Sequence, residues 1–263
     1  MDWSRAKTIF IITFFILDIF LVFQLITQKN ENKFDLIKET SIEERLKADE
    51  IIVPKLPEQP TKGKYVQADA KIFQEKELSH LNGQEITIVS GTTVQSKLKT
   101  PYPLKKNWQT KDVDEFVLSN VVYGDHYVYG EYDKKNNRFI YFQKYNNIPF
   151  FNNLSGQLVL TLNEKNEIVS YTQTMLENIK EIKEQEILTA YDAMVTLYNK
   201  QLLKSGGKIT EVEIGYYTLV PIMSSQLLAP TWRFSIEGQE DLFVNAVEGH
   251  AFFVSDSENK ILE

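Results

Sequence analysis

The sequence predicts an α+β protein: a single N-terminal transmembrane helix, then antiparallel sheets with packed helices in two similar extracytoplasmic domains. Three observations carry this reading. One apolar run near the start is long enough to span a bilayer. The chain beyond it alternates apolar and polar residues in short runs separated by Asn, Asp and Gly. The helical patterns between those runs lack the strand–helix–strand rhythm of a parallel sheet.

Residues 1–7 read as a short cytoplasmic tail and residues 8–26 as the span. As a helix the span measures roughly 28 Å at about 1.5 Å per residue, close to the hydrocarbon thickness of a bilayer. Fifteen of its 19 residues are Ile, Phe, Leu or Val. Together they favour insertion by roughly 4.5–9 kcal/mol, against about 2.5–3.5 kcal/mol for a central aspartate. The exit, Ile26-Thr27-Gln28-Lys29-Asn30, lacks a small-residue cleavage site, and the absence of cysteine excludes lipoprotein processing, so the segment is an uncleaved signal anchor. Arg5 and Lys7 in the tail set the N-terminus inside and the body outside the cell membrane.

Asp18 sits in the middle of this span. On a helix it shares a face with Phe14, Phe15, Leu21 and Val22, while Thr13 and Gln24 lie about 140° and 120° away. No side chain of the span reaches it. Either a protonated Asp18 donates to the carbonyl of Phe14, or it meets a group on a neighbouring helix, which makes Asp18, Phe14, Phe15, Leu21 and Val22 the candidate transmembrane contact.

Residues 27–64 read as stalk and linker. Ser41-Ile42-Glu43-Glu44 has the form of a capping box, predicting a short helix to about Ala48. Pro54, Pro57 and Pro60 resist helix and central strand alike. The first domain is expected over 65–152. There residues 67–81 are helical in composition, 85–89 alternate as a strand, and Val113, Phe116 and Val117 have helical spacing. Two strand-like runs flank the polar loop Asp133-Lys134-Lys135-Asn136-Asn137 as a hairpin. The second domain is expected over 153–263. A hairpin turns at Glu164-Lys165-Asn166, with Leu158, Leu160 and Leu162 on one face. A helix follows over 184–204, with Ile187, Tyr191, Met194, Tyr198 and Leu202 as its apolar stripe and Gly206-Gly207 at its end. The last section is strands, among them one with Trp232, Phe234 and Ile236 facing inward and Arg233, Ser235 and Glu237 outward.

Composition bounds the function. Hydrophobic residues make up 43% of 263, with 16 Phe and 13 Tyr, enough for a packed core. Zero cysteine excludes disulfides, thiolate metal sites and a cysteine nucleophile. A net charge of −7 argues against nucleic acid and against anionic lipid or wall polymers. His80, His126 and His250 show no ligand spacing, and alternation along a strand would place Asp125 and His126 on opposite faces. Neither Ser90-Gly91 nor Ser155-Gly156 forms a nucleophile elbow, and no phosphate-binding glycine motif occurs. The carboxylate pairs Glu184/Glu186 and Glu240/Asp241 read as solvated helix ends or turns. No catalytic, metal or cofactor site is legible. Phe150 and Phe151, adjacent in a strand, are either both core or a partner patch with one ring exposed.

Three stretches, MDWSRAKTIFIITFFILDIFLVFQL, SIEERLKADEI and PTWRFSIEGQEDLFVNAVEG, resemble the YycI (WalI) family of Gram-positive bacteria. The resemblance implies a non-enzymatic, membrane-anchored regulator of the YycFG (WalRK) two-component system of cell-wall homeostasis. It implies contact with the YycG sensor histidine kinase through transmembrane helices and association with a sister protein, YycH, whose C-terminal portion has similar α+β domains. An anchored binding module for a wall component or soluble ligand is the competing reading, with an anchored enzyme or protease inhibitor behind it.

Overall fold

The structure, a computed structural model, describes residues 3, 7, 13–22, 41–57, 62–221, 225–255 and 258–262. The chain divides into two compact units, Met1–Asp49 and Glu50–Glu263. In the first, residues 13–22 form helix α1 and Ile42–Ala48 form α2. The Ser41 hydroxyl accepts from the Glu44 amide at 3.3 Å, the cap its sequence predicts. Among the described residues no helix is long and apolar enough to cross a membrane; α1 is the described part of the expected span. The ends of that span, the stalk at 27–33 and Pro60 lie outside the described residues.

The second unit carries strands β1 (Lys62–Ala70), β2 (Gln84–Val89), β3 (Thr93–Pro103), β4 (Tyr127–Asp133), β5 (Arg138–Tyr145), β6 (Ile148–Phe151) and β7 (Gln157–Leu162). It continues with β8 (Glu167–Thr174), β9 (Leu176–Glu186), β10 (Ile209–Pro221), β11 (Ser225–Ile236), β12 (Leu242–Asn245), β13 (Ala251–Ser255) and β14 (Glu258–Leu262). Its helices are α3 (Glu75–Leu78), α4 (Thr110–Asn120) and α5 (Ala190–Asn199). This is a sheet-rich α+β fold with few helices.

Hydrogen bonding runs in the order β14-β13-β12-β11-β10-β6-β5-β7-β8-β3-β2. Two long strands act as hubs. β11 holds β10 along one edge and, on the other, β1 at its start and β12 further on. β5 likewise holds β7 on one edge and β4 then β6 on the other. The β5–β6 hairpin turns on Asn146 and Asn147, both at positive φ, as a two-residue turn of the I′ type requires. β6 then meets β10 in parallel, Phe150 opposite Tyr216 and Phe151 opposite Tyr217, splicing the two ends of the sheet.

Where turn residues and alternation agree, the expected elements form. β4–β5 and β7–β8 are antiparallel hairpins around the predicted loops, and Leu158, Leu160 and Leu162 are all buried. Val113, Phe116 and Val117 of α4 share one buried cluster with Phe139, Tyr141, Leu160 and Tyr171 of the sheet.

Long-range pairing overrides the reading elsewhere. Residues 67–81 are not mainly helical. Val66 and Ala68 are fully buried in β1, which is hydrogen-bonded on both sides by β9 and β11, and only α3 remains helical. The helix expected over 184–204 is confined to α5, because Glu184 and Glu186 belong to β9 and pair with β1. Thr189 caps α5 through Asp192, and the chain turns at Gln201 (φ 59°), ahead of the two glycines. Its buried face is Ala190, Ala193, Met194 and Leu197, whereas Tyr191 is exposed. The expected division at 152/153 is crossed by pairing: β7 and β8 join β5 and β3. The proline-containing linker begins inside the second unit, where Ile52 bridges Lys208 in parallel.

Candidate functional site

The residues singled out by the sequence fall in two places. Asp18, Phe14, Phe15, Leu21 and Val22 are all exposed on α1, and their i±3 and i±4 spacing puts them on one face. Phe150 and Phe151 are not a surface patch: both are buried, at 0% and 1% exposure. The parallel β6–β10 pairing explains it, since Phe150 packs with Tyr216 on one face and Phe151 with Phe142 and Phe243 on the other. Asp125 and His126 lie in a 3-10 turn, Gly124–His126, and not in a strand; both are exposed. His80 and His250 are exposed too, and among the described residues no set of side chains could hold a metal ion.

A site the sequence reading passed over lies on β11. Arg233 was expected to face water between Trp232 and Phe234, yet it is nearly as buried as they are. Register explains why. Glu213 of β10 stands directly opposite Arg233 on one side and Phe243 of β12 on the other, so the guanidinium lies in a row across three strands. Beneath it, the rings of Phe151 and Phe142 lie 5.1 and 5.8 Å from the guanidinium carbon, within cation–π range.

Carboxylates surround this cation. Nη2 pairs closely with Glu213 and lies 3.7 Å from Glu211; Nη1 lies 3.5 Å from Asp241, just before β12. Glu131 of β4 joins them electrostatically but makes no hydrogen bond or ion pair among the described residues. Partial burial raises the pKa of Glu213 and of Asp241 above the usual carboxylate range, with Arg233 pulling the other way. Loss of water around its carboxylate raises Glu131 as well, helped by the charge of Asp241, although Glu131 stands at an exposed position. The Nε N–H of Arg233 is buried with no acceptor among the described residues.

These groups line a cleft of about 850 Å³, walled also by Leu202, Phe253 and Lys204. It contains no nucleophile next to a base and no metal-ligand geometry. What it offers is recognition: a fixed guanidinium, surplus negative charge and an aromatic floor. Asp241 is in sequence half of the pair Glu240/Asp241, read as solvated, and nothing in sequence links it to Glu131 or Arg233. The one signal available was Arg233 itself, a cation between Trp232 and Phe234 in an otherwise apolar strand.

A sheet-rich α+β body with a charged recognition cleft and no catalytic constellation among its described residues defines a binding or regulatory class of protein, not a hydrolase or transferase framework. Within that class, a family model described as YycI protein matches residues 31–247. The chain belongs to the YycI family, and membership makes it a candidate regulator in the YycFG system. No curated protein sequence matches it. Among solved structures, an uncharacterized protein from Eubacterium rectale is similar at 10% identity, covering 78% of this chain and 89% of that one, with a TM-score of 0.49. The C-terminal domain of YpeB from Bacillus megaterium is similar at 13% identity, covering 72% and 94%, with a TM-score of 0.40. YycH from Bacillus subtilis is similar at 14% identity, covering 75% of this chain and 56% of YycH, with a TM-score of 0.42.

Proposed function

We propose that this chain is a non-enzymatic, membrane-anchored regulator that modulates a sensor histidine kinase of the YycG type through transmembrane helix contacts, and that its extracytoplasmic body associates with a YycH-like sister protein. The family match over residues 31–247 carries the reading. The apolar run 8–26, with basic residues ahead of it, supports the anchor and its orientation, N-terminus in the cytoplasm. Asp18 supports helix contact, because an ionisable group in a span faces protein more often than lipid. Measured interhelical hydrogen bonds average only about 0.6 kcal/mol, so Asp18 would set orientation more than affinity.

Replacing residues 8–26 by an unrelated apolar span tests it. Kinase-dependent reporter output should change while the body still reaches the outer face. Asp18→Leu should reduce co-purification with the kinase or sister protein without impairing insertion. Full control by the swapped chain would rule out helix contact and favour a body that works as an anchored binding module.

A further inference from the structure

The geometry points to a docking site for a basic side chain, lysine or arginine, presented by a partner protein to the cleft between Glu131 and Asp241. Four carboxylates, on Glu131, Glu211, Glu213 and Asp241, face one guanidinium, that of Arg233. Glu213 and Asp241 take up the two ends of that guanidinium, leaving Glu131 with no cation of its own in contact. The site is therefore short of positive charge. Arg233 cannot make up the difference by moving: its side chain is 9% exposed and held against Phe142 and Phe151.

The lining matches an amphipathic cation. Leu202, Phe243 and Phe253 supply an apolar wall for a methylene stem, and the carboxylates supply a counter-charge for the head. The incompletely bonded Nε of Arg233 shows that the protein's own groups do not close the site. Glu131 comes from β4, Glu211 and Glu213 from β10, and Asp241 from the approach to β12, so an occupant would touch strands from both ends of the sheet. Protons and metal ions are the competing occupants, and charge alone does not separate them from a side chain; the apolar wall favours the side chain. The inference does not rest on the regulatory reading, because binding is measured without reference to kinase output.

The test uses the full chain in detergent micelles and two probes, acetyl-Ala-Arg-Ala-amide and its neutral citrulline counterpart, with binding followed by NMR of the probe. The arginine probe should bind, and the citrulline probe at least ~5-fold more weakly. Glu131→Gln should weaken the arginine probe by a similar factor, and acidification into the carboxylate range should do the same. Leu202→Arg, shown folded by circular dichroism, should block the cleft with a cation of its own. Equal binding of the two probes, no binding of either, or undiminished binding to both variants would overturn the proposal. Displacement of the arginine probe by millimolar calcium, but not by sodium at equal ionic strength, would also overturn it by making the site a metal site.

Discussion

Arg233 shows how a single side chain acquires its role from its neighbours. A buried cation is tolerated where carboxylates meet it, and removing one partner leaves the others unbalanced. Arg233→Met should therefore destabilise the body by about 1–3 kcal/mol near neutral pH, at the lower end for buried pairs because Glu213 and Asp241 keep some contact with water. The loss should shrink on acidification, when those carboxylates can protonate; denaturant melts at two pH values check this, and a pH-independent loss would count against the electrostatic account. Trp232, next to it, works differently. Its indole N–H donates to the Leu188 carbonyl at 2.9 Å, tying β11 to the approach of α5.

At the scale of elements, the parallel contact of β6 and β10 is the tightest seam. A Cβ at Gly215 would lie 2.3 Å from Phe151 and 2.7 Å from the Pro149 carbonyl oxygen, so only glycine fits. Gly215→Ala should cost about 1–3 kcal/mol by overpacking, read from thermal melts. Thr189→Ala should cost about 1 kcal/mol, since the hydroxyl accepts from the Asp192 amide at 3.1 Å. Elements governed by local chemistry were legible in sequence. The loops at 133–137 and 164–166 announce their hairpins, and Val113, Phe116 and Val117 announce α4. Elements governed by distant partners were not. β1 and β9 are rich in Lys, Glu and Gln, which suit a helix equally well, and only mutual pairing makes them strands. The cleft was illegible for the same reason, since Glu131, Glu213, Arg233 and Asp241 meet through sheet register.

The whole molecule should carry opposing pH dependences. Glu77 accepts from the Tyr123 hydroxyl and the Gln74 amide and pairs with Lys71, which together lower its pKa from 4.5 to about 2. Its contribution is present above the unfolded value and lost as pH falls through the folded one. Glu131, Glu213 and Asp241 are raised, so the folded state holds their protons more tightly, and their contribution fades as pH rises through the folded values. Stability should thus peak in mildly acidic solution, at about pH 5, and decline toward both sides. Denaturant midpoints across pH check it, and a midpoint rising steadily to alkaline pH would contradict it; Glu131→Gln should flatten the alkaline limb. Finally, β1 is sandwiched between β9 and β11, with Val66 opposite Glu181 and Leu228. A chain emerging from its N-terminus exposes β1 with both edges open until those much later residues have been made. The body can close only near the end of its own synthesis, so a chain cut before β11 should be recovered as aggregate or degraded, and a factor that shields exposed strand edges would raise its yield.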